Sequence, residues 1–197
     1  MLDPHDSQAS FMNGQLPRVV PVTAVNGLPA HILLVHGVVV LVPLAALLLV
    51  LAALWPAAHR RLGVVTPAVA LIALVLVPIT TSAGEALLAR LPFRETNPLI
   101  RAHTELGDEL LPWVVGLFVA ALLVWGLPLL AERVGPAAVL RARWLHWVVA
   151  VLAVAVSVVT VVQVVRIGEA GSRAVYSGVV CADPVQPGGT CSTTLGA

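Results

Sequence analysis

The sequence predicts an all-α, polytopic membrane protein: a bundle of four transmembrane helices with both termini outside the cytoplasm. Hydrophobic residues make up 59% of its 197 residues and charged residues only 11%, whereas soluble domains are about 45 to 50% apolar. The mean hydropathy of +0.97 points the same way. The apolar residues also fall into four long runs separated by polar breaks. Together these observations exclude an ordinary water-soluble domain.

Each apolar run is long enough to cross a bilayer, which takes about 20 helical residues for a hydrocarbon core of about 30 Å. The runs cover residues 28–55, 63–88, 110–130 and 144–167. We therefore assign residues 28–180 to a four-helix membrane domain, and residues 1–27 and 181–197 to extracytoplasmic N-terminal and C-terminal tails. The residues ahead of the first run lack the basic segment and small-residue cleavage site of a signal peptide, so we expect that run to be retained.

Polar breaks between the runs predict loops at residues 56–61, 90–109 and 131–143. Within the second break, Asn97 followed by Pro98 is the pattern of a helix N-cap and a first helical position. We expect the third helix to begin near Pro98 and to run to about residue 130, with Pro112 as a site for a kink.

Arginines set the expected orientation. The first and third breaks are short and hold arginines close to the spans, namely Arg60, Arg61, Arg133, Arg141 and Arg143. Because short basic loops stay in the cytoplasm, these loops are placed inside and both termini outside. The only cysteines, Cys181 and Cys191, lie in a turn-rich tail that would close a disulfide loop in an oxidising compartment. Two free thiols are the alternative, and a cysteine pair without further ligands is a poor zinc site.

Three histidines and one glutamate share the predicted outer face. His31 and His36 lie at the start of the first span, Glu85 at the end of the second, and His103 at the start of the third helix. Ionisable groups at membrane depth are costly and mark functional sites, and a neutral imidazole ligates metals and haem iron. We therefore expect these residues to bind haem b or a transition metal ion, copper or zinc. The alternative is a set of solvated interfacial side chains without a cofactor.

The spacing of His31 and His36 limits how they can act together. Five residues turn about 140° on an ideal helix, so one regular helix does not aim both imidazoles at one ion. We expect one of them to pair with His103 across the bundle, His36 as the first choice and His31 as the next. At the opposite face, His59 and His146 form a conceivable second site, but His59 beside two arginines reads more simply as a solvated loop residue.

Several function classes lack support in the sequence. The basic residues are scattered arginines without a lysine, which gives nucleic acid no basic stripe to bind. No Walker loop, nucleophile elbow, CxxC pair or HExxH motif is present, and no internal repeat of the transporter kind is visible. Enzymatic activity is therefore left open, with electron transfer as the role to test.

Two segments carry a resemblance to a known family. Residues 28–36 read Leu-Pro-Ala-His-Ile-Leu-Leu-Val-His and residues 168–179 read Gly-Glu-Ala-Gly-Ser-Arg-Ala-Val-Tyr-Ser-Gly-Val. With Glu85 and His103, they resemble the bacterial four-helix membrane family catalogued as domain of unknown function 2231, whose members open with an HPxxVH-like segment and close with a GxxGxxxVYxxGV-like one. The resemblance covers residues 27–180. The opening segment departs from the pattern, because Ile32 stands where a proline follows the first histidine.

The resemblance implies a bacterial cytoplasmic membrane and a redox setting at the external face, because some members are fused to, or encoded beside, Rieske iron–sulfur domains. This chain lacks the paired cysteine and histidine ligands of such a cluster, so an iron–sulfur partner would be a separate protein. The expected function is thus a membrane-embedded, redox-associated protein that binds haem b or a transition metal through its outer histidines.

The alternative function is a cofactor-free accessory or assembly subunit of a larger respiratory complex. Small residues in the fourth span suit the close packing of helices in that role; they are Ala150, Ala153, Ala155 and Ser157. In either role the spans contact membrane lipid, and the sequence leaves open whether the chain forms a homo-oligomer.

Overall fold

The computed structural model describes residues 24–25, 28–89, 97–134 and 136–177 of the chain. Cys181 and Cys191, and with them the expected disulfide, lie outside the described residues. In chain order the elements are β1 (Ala24–Val25), β2 (Leu28–Pro29), α1 (Ala30–Leu54), α2 (Pro56–Leu62), α3 (Val65–Leu88), α4 (Pro98–Asp108), α5 (Leu110–Val134) and α6 (Pro136–Tyr176). The two short strands pair antiparallel, with Ala24 opposite Pro29 and Val25 opposite Leu28.

The predicted four-span architecture is confirmed: within the described residues, four helices are long and apolar enough to cross a membrane. These candidate spans are Ala30–Leu54, Val65–Leu88, Pro98–Ala131 and Trp144–Tyr176. The first two begin and end close to the predicted apolar runs. The third and fourth are longer than their apolar runs, because polar helical turns continue each of them beyond its apolar stretch. For the third helix, this extension back to Pro98 is the one that the sequence predicts.

Two of the predicted loops are helical, so those two loop predictions were wrong. Residues 56–62 form α2, with Pro56 at a first helical position that needs no N–H. The chain then turns at Gly63, whose φ of 43° lies in the left-handed region that favours glycine. Residues 131–134 continue α5, and α6 begins at Pro136. Alanine, leucine and arginine fill this stretch, and their high helix propensity explains the outcome.

The third membrane helix begins where the sequence predicts. The side chain of Asn97 accepts a hydrogen bond of 2.9 Å from the backbone N–H of Leu99, which makes it the N-cap of α4. The helix is interrupted at Glu109, between α4 and α5. Pro112 follows three residues later and has no N–H to donate to the carbonyl of Asp108, which accounts for a break at this point.

The four long helices form a ring in the order α1, α3, α5, α6, in which each packs against both of its neighbours and successive helices run antiparallel. The start of α1, the end of α3, the helix α4 and the end of α6 therefore meet at one end of the bundle. We call this the histidine end, because His31 and His103 both lie there. The other end, with α2 and the start of α6, is the opposite end.

The core differs between the two halves. Towards the histidine end, the buried residues are mainly valine and leucine, namely Val38, Val42, Val77, Leu110, Val114 and Val164, with Ala73. Towards the opposite end they are mainly alanine, namely Ala45, Ala46, Ala52, Ala53, Ala70, Ala120, Ala121, Ala150 and Ala153. Small side chains let helix backbones approach closely in a membrane, where dispersion rather than water exclusion drives association.

Three of the four small residues named in the fourth span lie inside the chain's own bundle. Ala150, Ala153 and Ser157 are buried, and the Ser157 hydroxyl donates to the Ala46 carbonyl of α1 at 3.4 Å. Ala155 is exposed, so of the four it is the one that this bundle leaves open to lipid or to a partner. Two residues turn a helix by about 200°, so Ala155 faces away from the side that carries Ala153 and Ser157.

Candidate histidine site

His31, the second residue of α1, is bonded to the neighbouring helix. Its Nδ1 lies 3.0 Å from the backbone carbonyl oxygen of Thr80 in α3. A carbonyl oxygen only accepts hydrogen bonds, so Nδ1 carries the hydrogen and donates it. In the neutral imidazole, Nε2 then keeps the free lone pair. The ring is thus held in the tautomer that can ligate a metal through Nε2.

A glycine makes room for this ring. Gly84 lies one helical turn after Thr80, and a Cβ built on it would lie 2.9 Å from Cε1, 3.0 Å from Nδ1 and 3.7 Å from Nε2 of His31. Real Cβ atoms do not approach so closely, so any larger residue at position 84 would displace the imidazole. The His31 ring therefore packs directly on the backbone of α3.

His103 has the same kind of environment against α6. Its Nδ1 lies 3.0 Å from the carbonyl oxygen of Ile167 in α6, so Nδ1–H again donates and Nε2 again keeps the lone pair. Gly171 lies one turn after Ile167, and its Cβ would lie 3.0 Å from Cε1, 3.1 Å from Nδ1 and 3.7 Å from Nε2 of His103. Both histidines are partly buried.

The same local geometry therefore occurs twice. The chain forms two helical hairpins: the first is α1 with α3, and the second is α4 and α5 with α6. In each hairpin a histidine near the start donates to a backbone carbonyl near the end, and its ring rests on the glycine four residues after that carbonyl. The sequence did not predict the roles of Thr80 and Ile167, because every residue has a backbone carbonyl. It did not predict the roles of Gly84 and Gly171 either, because a glycine can be assigned to a histidine ring only when the packing of the two helices is known. The alanine that precedes each histidine is the one local signal that the two segments share.

His36 and Glu85 lie differently. The His36 side chain is exposed, and its Nδ1 donates to the carbonyl of Ile32, one turn earlier in its own helix, at 2.6 Å. Glu85 follows Gly84 and is also exposed. Within the part of the chain that the structure describes, no three or more His, Cys, Asp or Glu side chains are grouped so that they could hold a metal ion. The structure thus does not gather the four expected residues into one three-ligand cluster.

At the opposite end, His59 is not the solvated loop residue that its neighbours suggest. It lies in α2 and is partly buried. Burial lowers the pKa of His59 below its usual 6.5, and the nearby positive charges of His146 and then Arg60 lower it further, while the Ala52 carbonyl acts in the opposite direction. His146 is also partly buried, and its ring meets the Trp147 ring edge-on at 6.3 Å between centroids.

No protein-family model, curated protein or solved structure matches the chain.

Proposed function

We propose that this is a membrane-embedded, redox-associated protein in which Nε2 of His31 and Nε2 of His103 bind haem b or a transition metal ion. The observation that supports the proposal is the matched pair of Nδ1–H bonds to the carbonyls of Thr80 and Ile167. Metal-ligating histidines almost always donate their other ring N–H to a carbonyl or carboxylate, which fixes the tautomer and raises the basicity of the ligating nitrogen.

Two imidazoles without a third ligand suit haem better than a closed zinc site, which takes four protein ligands. Haem iron needs only axial ligands from the protein, and a bound haem would supply one-electron transfer. The chain's own contribution is to orient two imidazoles and to hold each against a glycine backbone. Copper is the metal alternative, because imidazole also suits copper.

The proposal changes the order of the candidate ligands. His31 and His103 come first because both are fixed by a neighbouring helix. His36 comes after them, since its Nδ1 bond is local to its own helix and its side chain is exposed. Glu85 is offered as an accessory acid only, because it lies beside Gly84 at the same end of the bundle.

A second candidate function is a cofactor-free accessory or assembly subunit of a larger respiratory complex. One observation favours it: the two histidine–carbonyl bonds already tie α1 to α3 and α4 to α6, and interhelical hydrogen bonds of this kind stabilise membrane bundles without any cofactor. In this role the imidazoles would be structural cross-links, and the exposed apolar faces would contact lipid and a partner subunit.

Location and orientation are part of the proposal. The histidine end faces outward in a bacterial cytoplasmic membrane, with both termini outside and a separate iron–sulfur protein as redox partner. The arginine-rich segments at residues 56–62 and 131–143 and the resemblance to domain of unknown function 2231 support this arrangement. After reduction, a thiol reagent that cannot cross membranes should label Cys181 and Cys191 on intact cells. Labelling only after the cells are opened would reverse the orientation.

An optical spectrum of the purified protein, oxidised and dithionite-reduced, tests the two functions against each other. Under the haem proposal, wild type shows a Soret band and sharp reduced α-bands, which His31→Ala and His103→Ala each abolish. His36→Ala is the matched control and should keep them. Bound copper without a Soret band would select the metal alternative. A colourless, metal-free wild type would refute cofactor binding and leave the assembly subunit.

A further inference from the structure

A small surface cavity opens at the break between α4 and α5. Its volume is about 370 Å³, and it is lined by Glu109, Pro112 and Trp113. Glu109 is exposed, and Trp113 is 40% exposed. The apolar stretch of α5 begins directly after Glu109, so this carboxylate lies where a spanning helix would leave the hydrocarbon for the headgroup layer. Tryptophan beside it is the residue typical of that boundary.

A buried amide holds the carboxylate in place. Gln163 of α6 is only 4% exposed, and its Nε2 donates to Glu109 Oε2 at 3.1 Å and to the Leu106 carbonyl at 3.2 Å. The carboxylate is thus fixed from the interior of the bundle, while its exposed side faces the cavity.

The other end of the same amide carries a positive charge. Nη1 of Arg166 donates to Oε1 of Gln163 at 3.5 Å. Arg166 is exposed, and it is the first charged residue after the apolar stretch of α6. One glutamine side chain therefore holds an anionic and a cationic group next to each other at the same membrane boundary.

This arrangement matches one class of lipid. We propose that this boundary binds the headgroup of a single phosphatidylethanolamine molecule, with its ammonium group on Glu109 in the cavity and its phosphate on Arg166, which lies outside the cavity lining at the other end of the Gln163 amide. Carboxylate–ammonium and guanidinium–phosphate contacts are the strong, charge-assisted hydrogen bonds. The Trp113 ring adds a face for the ammonium group. The exposed carboxylate of Asp108 disfavours a lipid with net negative charge.

Two substitutions, each of which removes one charge, test the ammonium contact with Glu109 and the phosphate contact with Arg166 separately. The probes are phosphatidylethanolamine and phosphatidylglycerol with the same acyl chains, added to the delipidated full-length protein and followed by native mass spectrometry. Wild type should keep one phosphatidylethanolamine in preference to phosphatidylglycerol. Glu109→Gln should weaken phosphatidylethanolamine binding about tenfold, the cost of one charged hydrogen bond, and should not weaken phosphatidylglycerol binding. Arg166→Gln should weaken both lipids, since both carry a phosphate.

Glu169→Gln and Arg173→Gln are matched controls, because they break an exposed ion pair further along the same helix, and neither should change lipid binding. Trp113→Leu keeps the lining apolar and serves if a charge variant does not fold; it should weaken phosphatidylethanolamine more than phosphatidylglycerol. Equal binding of the two lipids by wild type, or a Glu109→Gln protein that still prefers phosphatidylethanolamine, would overturn the proposal. None of these outcomes depends on a haem or a metal.

Discussion

Replacing Gly171 by alanine tests the contact on which the candidate site depends. The new Cβ would lie 3.0 Å from Cε1 and 3.1 Å from Nδ1 of His103, so the ring must shift away from α6 by a few tenths of an ångström, which weakens its bond to the Ile167 carbonyl; complete loss of that bond is the upper limit. Overpacking costs about 1 to 3 kcal/mol, and a lost hydrogen bond about 0.5 to 1.5 kcal/mol. Alanine in place of glycine returns about 1 kcal/mol of helix propensity. We expect a net loss of about 2 kcal/mol from these three effects.

Gly168→Ala is the matched control, one turn earlier in the same helix. Gly168 is exposed, and nothing lies within 4 Å of its Cβ position, so this change should stabilise the protein by up to about 1 kcal/mol. In mild detergent, the unfolding temperature of Gly168→Ala should therefore be higher than that of wild type, and the unfolding temperature of Gly171→Ala should be lower. Gly84→Ala should resemble Gly171→Ala, because its contact with His31 has nearly the same distances.

A double-mutant cycle isolates the contact itself. In a His103→Ala background no ring opposes the new methyl group, so Gly171→Ala should cost nothing there. If Gly171→Ala proves as stable as Gly168→Ala, or if it costs the same with and without the imidazole, the ring does not rest on Gly171 and the duplicated geometry is refuted.

Three further predictions concern groups away from the two glycines. Because the pKa of His59 is lowered in the folded protein, the unfolded chain binds the proton more readily, and stability should fall as the pH drops through 6.5. His59→Gln should make the unfolding temperature less dependent on pH in this range, and an unchanged dependence would contradict the lowered pKa. Thr66 is 2% exposed and its Oγ1 has no hydrogen-bond partner among the described residues, so Thr66→Val should raise stability by about 1 kcal/mol in chemical unfolding while Thr66→Ser does not. Gln163→Leu removes the bonds to Leu106 and Glu109 and should cost about 1 kcal/mol by the same assay; an unchanged midpoint would mean that these bonds add nothing.

The sequence alone predicted where the spanning helices lie, but it did not predict that the polar segments at residues 56–62 and 136–143 are helical. Apolar runs long enough for a bilayer locate α1 and α3 closely, because few other structures tolerate such runs. The start of α6 was missed because arginine and glycine in the break suggest a loop, while alanine and leucine around them favour a helix. Propensity alone does not decide between these readings.

The candidate site was predictable only as a set of residues at one end. Alternating span direction places His31 and His103 together at that end, and the helical angle separates His31 from His36, which agrees with their different partners. What the residues do there depends on α3 and α6: the carbonyls of Thr80 and Ile167 are backbone groups that every residue has. Their role appears only when the helices are packed.

The hairpin arrangement of the two histidine contacts also has a consequence for how such a protein can arise. A hairpin crosses the membrane an even number of times, so a second hairpin joined after it enters from the same side. Copying one ancestral hairpin gene segment and joining the two copies head to tail would deliver both imidazoles to the same face without any inversion. Each copy could then diverge in its lipid-facing residues, while the histidine and the glycine beneath its ring stayed fixed. After such a duplication, an alignment of the two halves would show the shared histidine and glycine and little other similarity.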